Sequence, residues 1–128
     1  MASSLAPPTR TPLETALVST ALGLGMVMAG TGDLSSLRAL RELRANLSPS
    51  INYGSYMATG CALGLLGLGG GRATLSRSNA SVAALLTAFP PYWPHGSSSN
   101  SYYPQALRNL YALAVDSRSV ECMLLVNR

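Results

Sequence analysis

The run from Tyr53 to Gly71 contains no charged residue and interleaves bulky apolar side chains with glycine and alanine. A helix drawn from Met57 to about Leu68 sets Gly60, Ala62, Gly64 and Gly67 beside Leu63, Leu65, Leu66 and Leu68. Each glycine in a helix interior costs up to about 1 kcal/mol relative to alanine. So many of them are tolerable only where a neighbouring backbone comes close and packing restores the loss. The stretch therefore predicts a packing surface without a reactive group, and one that needs a neighbour to fold against.

An earlier stretch has the same pattern. Placing Ala21-Leu22-Gly23-Leu24 on Ala62-Leu63-Gly64-Leu65 gives a spacing of 41 residues, which also brings Gly30 onto Gly71. After each glycine-rich end comes a polar turn and a second apolar segment, Asp33 to Leu47 and then Asn79 to Phe89. Repetition at this period marks architectures in which each unit buries its apolar face against the next. The expected unit is helix, glycine turn, helix, with Gly23, Gly30, Gly54, Gly60, Gly64, Gly69, Gly70 and Gly71 as packing and turn positions. The expected fold class is all-α: helical-hairpin repeats, an α-solenoid segment of about two and a half units.

In order, the chain divides into a flexible leader (1–12), a first hairpin (13–47), a second hairpin (51–89), a loop (90–104), the start of a third unit (105–115) and a tail open to strand or helix (116–128). Asp33 is placed to cap a helix whose Leu34, Leu37, Leu40, Leu43 and Leu47 form one stripe, with Pro49 as its stop. Ser78 or Asn79 caps the helix from Val82 to Phe89. In the third unit Pro104 suits a first helical turn, and Leu107, Leu110, Tyr111 and Ala114 fall on one face. Trp93 and Tyr92 either pin the long loop to the helices or meet another chain. Arg38, Arg41 and Arg44 line one side of the first hairpin's second helix, as a solvated face or as an edge for an acidic partner.

With 48% hydrophobic residues over 128, the chain has enough apolar material for one domain. All nine basic residues are arginine and are dispersed, so the net charge of +4 forms no nucleic-acid stripe. Two distant cysteines make no metal site, and Cys61 reads as a buried free thiol in a reducing compartment. The triple glycine is not a phosphate loop, since the chain has no lysine to follow it, and Arg72 stands where a dinucleotide fingerprint needs glycine. Neither His95 nor the scattered acids Glu14, Asp33, Glu42, Asp116 and Glu121 form a catalytic set. These features predict no enzyme, cofactor or small-molecule substrate. A rival reading takes residues 13–30 as a signal peptide or membrane anchor, with Asn46-Leu47-Ser48 and Asn79-Ala80-Ser81 as glycosylation sites. The recurrence of the pattern farther along the chain favours a structural origin.

The segments Asn52 to Gly60, Leu63-Gly64-Leu65-Leu66 running into Gly69-Gly70-Gly71-Arg72, Thr74 to Asn79, and Gln105-Ala106-Leu107-Arg108 with Leu110-Tyr111 together resemble the proteasome/cyclosome repeats, in their cyclosome branch. The similarity runs from about Ala16 to Arg118 and is firmest after Ile51; Tyr103-Pro104 departs from the His-Leu usual there. The resemblance implies a solenoid curved toward a toroid, of which this chain holds too few units to close a ring. It further implies a noncatalytic platform in the anaphase-promoting complex, a ubiquitin ligase of mitotic exit, in nucleus and cytoplasm. The implied partners are other subunits of that complex and neighbouring helical repeats, with no nucleic acid or membrane. Only structural positions carry over, Gly54, Gly60, Gly64 and Gly69 to Gly71.

Overall fold

The computed structural model describes residues 10–47, 53–89, 93–94 and 103–119. Helix α1, Arg10–Val27, takes in the end of the expected leader, and Pro12 sits in its first turn, where a missing N–H costs no helix bond. Helix α2, Leu34–Ala45, starts where the sequence expected: the Asp33 carboxylate accepts from the Ser36 N–H at 2.7 Å. Helix α3, Tyr53–Leu66, begins four residues before Met57, since Tyr53 to Tyr56 join it in front. Helix α4 is Asn79–Ala88, with Ser78 as its cap: Ser78 Oγ accepts from the Ser81 N–H at 3.1 Å.

All-α packing is joined by one short ladder. The expected turn over 72–79 contains strand β1, Ala73–Leu75, and the tail opens with strand β2, Val115–Ser117, antiparallel to it with Ala73 opposite Ser117. Between α4 and β2 the third unit is a 3-10 segment, Tyr103–Ala114, instead of an α-helix. Its three-residue period turns Arg108, Tyr111 and Ala114 inward and leaves Leu107 exposed, against the expected α-helical stripe. Most of the 90–104 loop, His95 and Tyr92 included, and the tail beyond 119 lie outside the described residues.

The core forms where α1 and α3 meet, with α2 laid over both. Ala21 and Leu22 of α1, Leu40 of α2, and Ala62, Leu65 and Leu66 of α3 make one buried cluster. Leu34 of the predicted α2 stripe is instead exposed. Gly25 faces Ala62 while the Gly30 N–H donates to the Leu65 carbonyl at 3.0 Å, so α1 and α3 run parallel. Residues 13–30, the rival signal or anchor, are thus half of a packed helix pair and its turn. Among the described residues no helix is long and apolar enough to cross a membrane.

The Asp33 cap carries a pH dependence. The N–H groups of Ser36 and Ser35 and the Ser36 hydroxyl hold its carboxyl below the ordinary aspartate value, the Ser36 amide foremost. A carboxylate depressed in the fold contributes stability above its unfolded pKa of about 4 and loses it as pH falls through the folded value. Asp33→Asn keeps a capping oxygen without the charge, so its unfolding midpoint should fall less than that of the parent chain as the pH drops from about 6 to below the folded Asp33 value.

Candidate functional site: the seam between units

The glycine-rich runs that dominate the sequence lie where the units join. Within the helix pair the tight point is Gly25, where an added Cβ would lie 2.7 Å from the Ala62 Cα and 2.8 Å from the Ala62 carbonyl oxygen. Those are backbone atoms, which cannot swing aside. Gly25 is absent from the sequence-based set, and Gly23, Gly60 and Gly64, which are in it, have nothing within 4 Å of such a Cβ, as has Gly70.

The reason is the register. Leu22 and Gly25 of α1 and buried Ala29 of the turn after it lie toward α3, and Cys61 and Gly64 of α3 and Leu68 of the turn after it lie toward the terminal 3-10 segment. The two sets superpose at 39 residues, not 41, and that spacing also brings the end of α1, Val27, onto the end of α3, Leu66. Aligning identical letters placed Gly23 on Gly64; matching packed faces places Gly25 there. The closed junction at Gly25 has an open counterpart at Gly64, a cavity of about 280 Å³ lined by Cys61, Gly64, Leu65, Leu68, Phe89, Arg108, Asn109 and Tyr111. Burial pushes the Cys61 thiol up, with the Arg108 charge pulling the other way, so the thiol stays protonated at neutral pH.

Beyond the helix ends, the linkers of all three units stack. Gly30 has φ of +71°, and a Cβ there would run into the Ala73 carbonyl oxygen. Gly69 would meet the Ala73 Cβ at 2.6 Å and Gly71 the Gly30 carbonyl oxygen at 3.6 Å, so three predicted turn glycines converge on one spot. The Gly32 N–H donates to the Leu66 carbonyl at 3.1 Å, which closes an otherwise free helix end. Arg118, overlooked in the sequence, spans the layers. Its Nη1 donates to the Gly30 carbonyl at 2.7 Å and its backbone N–H to the Arg72 carbonyl at 2.9 Å. No local pattern announces such a bond across 88 residues.

Two further arginines hold elements together. Arg44 donates from Nη2 to the Tyr56 hydroxyl at 2.9 Å and lies 4.4 Å from that ring's centre, tying α2 to α3, whereas Arg38 and Arg41 are exposed. Arg41 and Arg44 border an open cleft of about 540 Å³ along the α2–α3 groove. Trp93 packs inward: Arg108 stacks on its ring at 3.4 Å, and its Cβ blocks any side chain at Gly54. Arg108 is only 7% exposed, donates to Gln105 Oε1 at 2.8 Å and to the Ala88 carbonyl at 3.2 Å, and burial lowers its pKa from the ordinary arginine value. Arg108→Lys keeps the charge and loses the flat fork, so it should destabilise the chain by roughly 1–2 kcal/mol in a urea titration.

The seam lies within a region that this chain shares with known proteins. Residues 4–116 match the family described as the APC1 fifth domain. The chain belongs to the APC1 fifth-domain family. Anaphase-promoting complex subunit 1 of Homo sapiens is 51% identical over 106 residues, 83% of this chain and 6% of that protein. The Dictyostelium discoideum protein of the same name is 47% identical over 109 residues, 85% of this chain and 5% of the relative. A protein of Emericella nidulans named negative regulator of mitosis is 45% identical over 100 residues, 78% and 5% of the two chains. The chain thus spans about one-twentieth of the length of these relatives. The APC1 match takes in the Gly25–Ala62 junction, the converging linker glycines and β1, and stops two residues short of Arg118.

Proposed function

We propose that this chain is a noncatalytic scaffold segment of the anaphase-promoting complex, a multisubunit ubiquitin ligase controlling mitotic progression, and acts in nucleus and cytoplasm. Membership of the APC1 fifth-domain family carries the reading. The seam supports it: a glycine helix junction and stacked linkers, of use in packing one unit on the next, lie at the centre of the fold. Its partners are neighbouring helical repeats and other subunits of the complex, met through the open end faces and the Arg38–Arg41 edge of α2. Affinity purification of the tagged chain from dividing cells, read by mass spectrometry, tests the proposal. Recovery of several anaphase-promoting complex subunits is the expected result, and recovery of chaperones alone contradicts it.

A further inference from the structure

The 3-10 segment Tyr103–Ala114 runs for 12 residues. Such windings rarely exceed three or four, because their i-to-i+3 hydrogen bonds have poorer geometry than those of an α-helix. The sequence itself has α-helical spacing, with Leu107, Leu110, Tyr111 and Ala114 at the i, i+3, i+4 and i+7 positions of one face. Under the segment lies the cavity of about 280 Å³ at Gly64, to which it contributes Arg108, Asn109 and Tyr111 but not Leu107. The facing walls are α3, the turn after it and Phe89 at the end of α4, so the space is bounded by this chain's own elements.

The far end of the segment is fixed. Ala114 is fully buried, its carbonyl accepts from the Ser76 N–H at 2.8 Å, and Val115 enters the ladder opposite Leu75. With Tyr111 held inward, a 3-10 turn of about 120° per residue aims Arg108 inward and Leu107 aside, whereas an α turn of about 100° swings Leu107 roughly 80° toward the inner face and Arg108 roughly 60° off it. Gln105 and Arg108 stay neighbours either way, since residues three apart also meet on an α-helix. An α-helix is wider than the tighter 3-10 winding, and the cavity supplies the room. The Arg108 stack on Trp93 and its bond to the Ala88 carbonyl favour one winding; burial of Leu107 and better backbone bonds favour the other.

We propose that residues 105–111 exchange between two windings. In the 3-10 form Arg108 faces inward and the Gly64 junction is open; in the α-helical form Leu107 faces inward and that junction closes, as the one at Gly25 is closed. The exchange decides whether the third unit presents a cation or a leucine to α3. Both forms draw on residues and space within the described structure, and the inference is independent of membership in a ubiquitin ligase.

The test is nuclear magnetic resonance relaxation dispersion on the isotope-labelled 128-residue chain. Amides from Gln105 to Tyr111, the Leu107 methyl groups and the Gly64 amide should report one shared exchange process in the microsecond-to-millisecond range, with α-helical carbon shifts in one of the two forms. Gly64→Leu fills the room that the wider winding needs and should abolish the exchange. Gly60→Leu, equally free of neighbours within 4 Å of its Cβ but outside the cavity, should leave it unchanged. Leu107→Gln removes the apolar gain of the α-helical form and should also abolish the exchange, which keeps the test decisive if Gly64→Leu does not fold. Flat profiles across the parent segment, exchange that survives Gly64→Leu or Leu107→Gln, or exchange lost equally in Gly60→Leu overturns the proposal. Recovery of complex subunits from dividing cells is unaffected by any of these outcomes.

Discussion

Gly30→Ala is expected to unfold most of the chain at temperatures where the parent is folded. The backbone at Gly30 has φ of +71°, which costs a residue with a Cβ about 1–2 kcal/mol. That Cβ would also meet the Ala73 carbonyl oxygen, a backbone atom fixed by the ladder between β1 and β2. Relief requires moving either the turn, which loses the Gly30-to-Leu65 bond, or β1, which disturbs the layer held by Arg118. The combined loss should reach about 3 kcal/mol or more, a large part of the stability of a domain this size. Circular dichroism during urea unfolding reads it directly. Gly32→Ala is the control, since its φ of +61° imposes the backbone cost but nothing lies within 4 Å of its Cβ. A loss at Gly30 no larger than at Gly32 would remove the stacked linkers from the account.

Leu66→Ala should be comparably severe. Leu66 is 1% exposed, belongs to the buried cluster shared by α1, α2 and α3, and ends α3 where its carbonyl accepts from Gly32. Truncating a buried leucine costs about 2–5 kcal/mol, more where the surroundings cannot collapse into the space. Here two parallel helices and bonded linkers frame the site, which argues for the upper part of that range. Val27→Ala, at the corresponding place in α1 but 82% exposed, should change the unfolding midpoint little. The pair measures how much of a position's importance comes from the unit that precedes it.

Much of this organisation is legible in the sequence. Glycine-rich apolar runs and their repetition give the hairpins; Asp33 and Ser78 mark helix starts because capping chemistry is local. The register is less accessible, as identical letters favoured a 41-residue spacing while packed faces follow 39. The two-residue difference is a shift within the helices themselves, since Ala21–Leu24 and Ala62–Leu65 lie inside α1 and α3, where glycine and leucine recur closely enough to match in either register. The packing roles of Arg108 and Arg118 are not legible in the sequence, because a cation held within the fold is recognised by its acceptors, and those lie 20 residues away at Ala88 and 88 residues away at Gly30. The third unit was expected to be α-helical; its 3-10 winding exchanges which side chains face inward, so Leu107 and Arg108 trade the places the pattern assigned.

The central claim is that one glycine junction is closed and its counterpart open. Gly25→Ala and Gly64→Ala, unfolded side by side in urea, test it most directly. At Gly64 alanine has room and a helix preference worth up to about 1 kcal/mol, so the midpoint should rise. At Gly25 the same methyl group meets the Ala62 backbone, and overpacking of about 1–3 kcal/mol should lower it. Equal shifts of the same sign at both positions would contradict the seam.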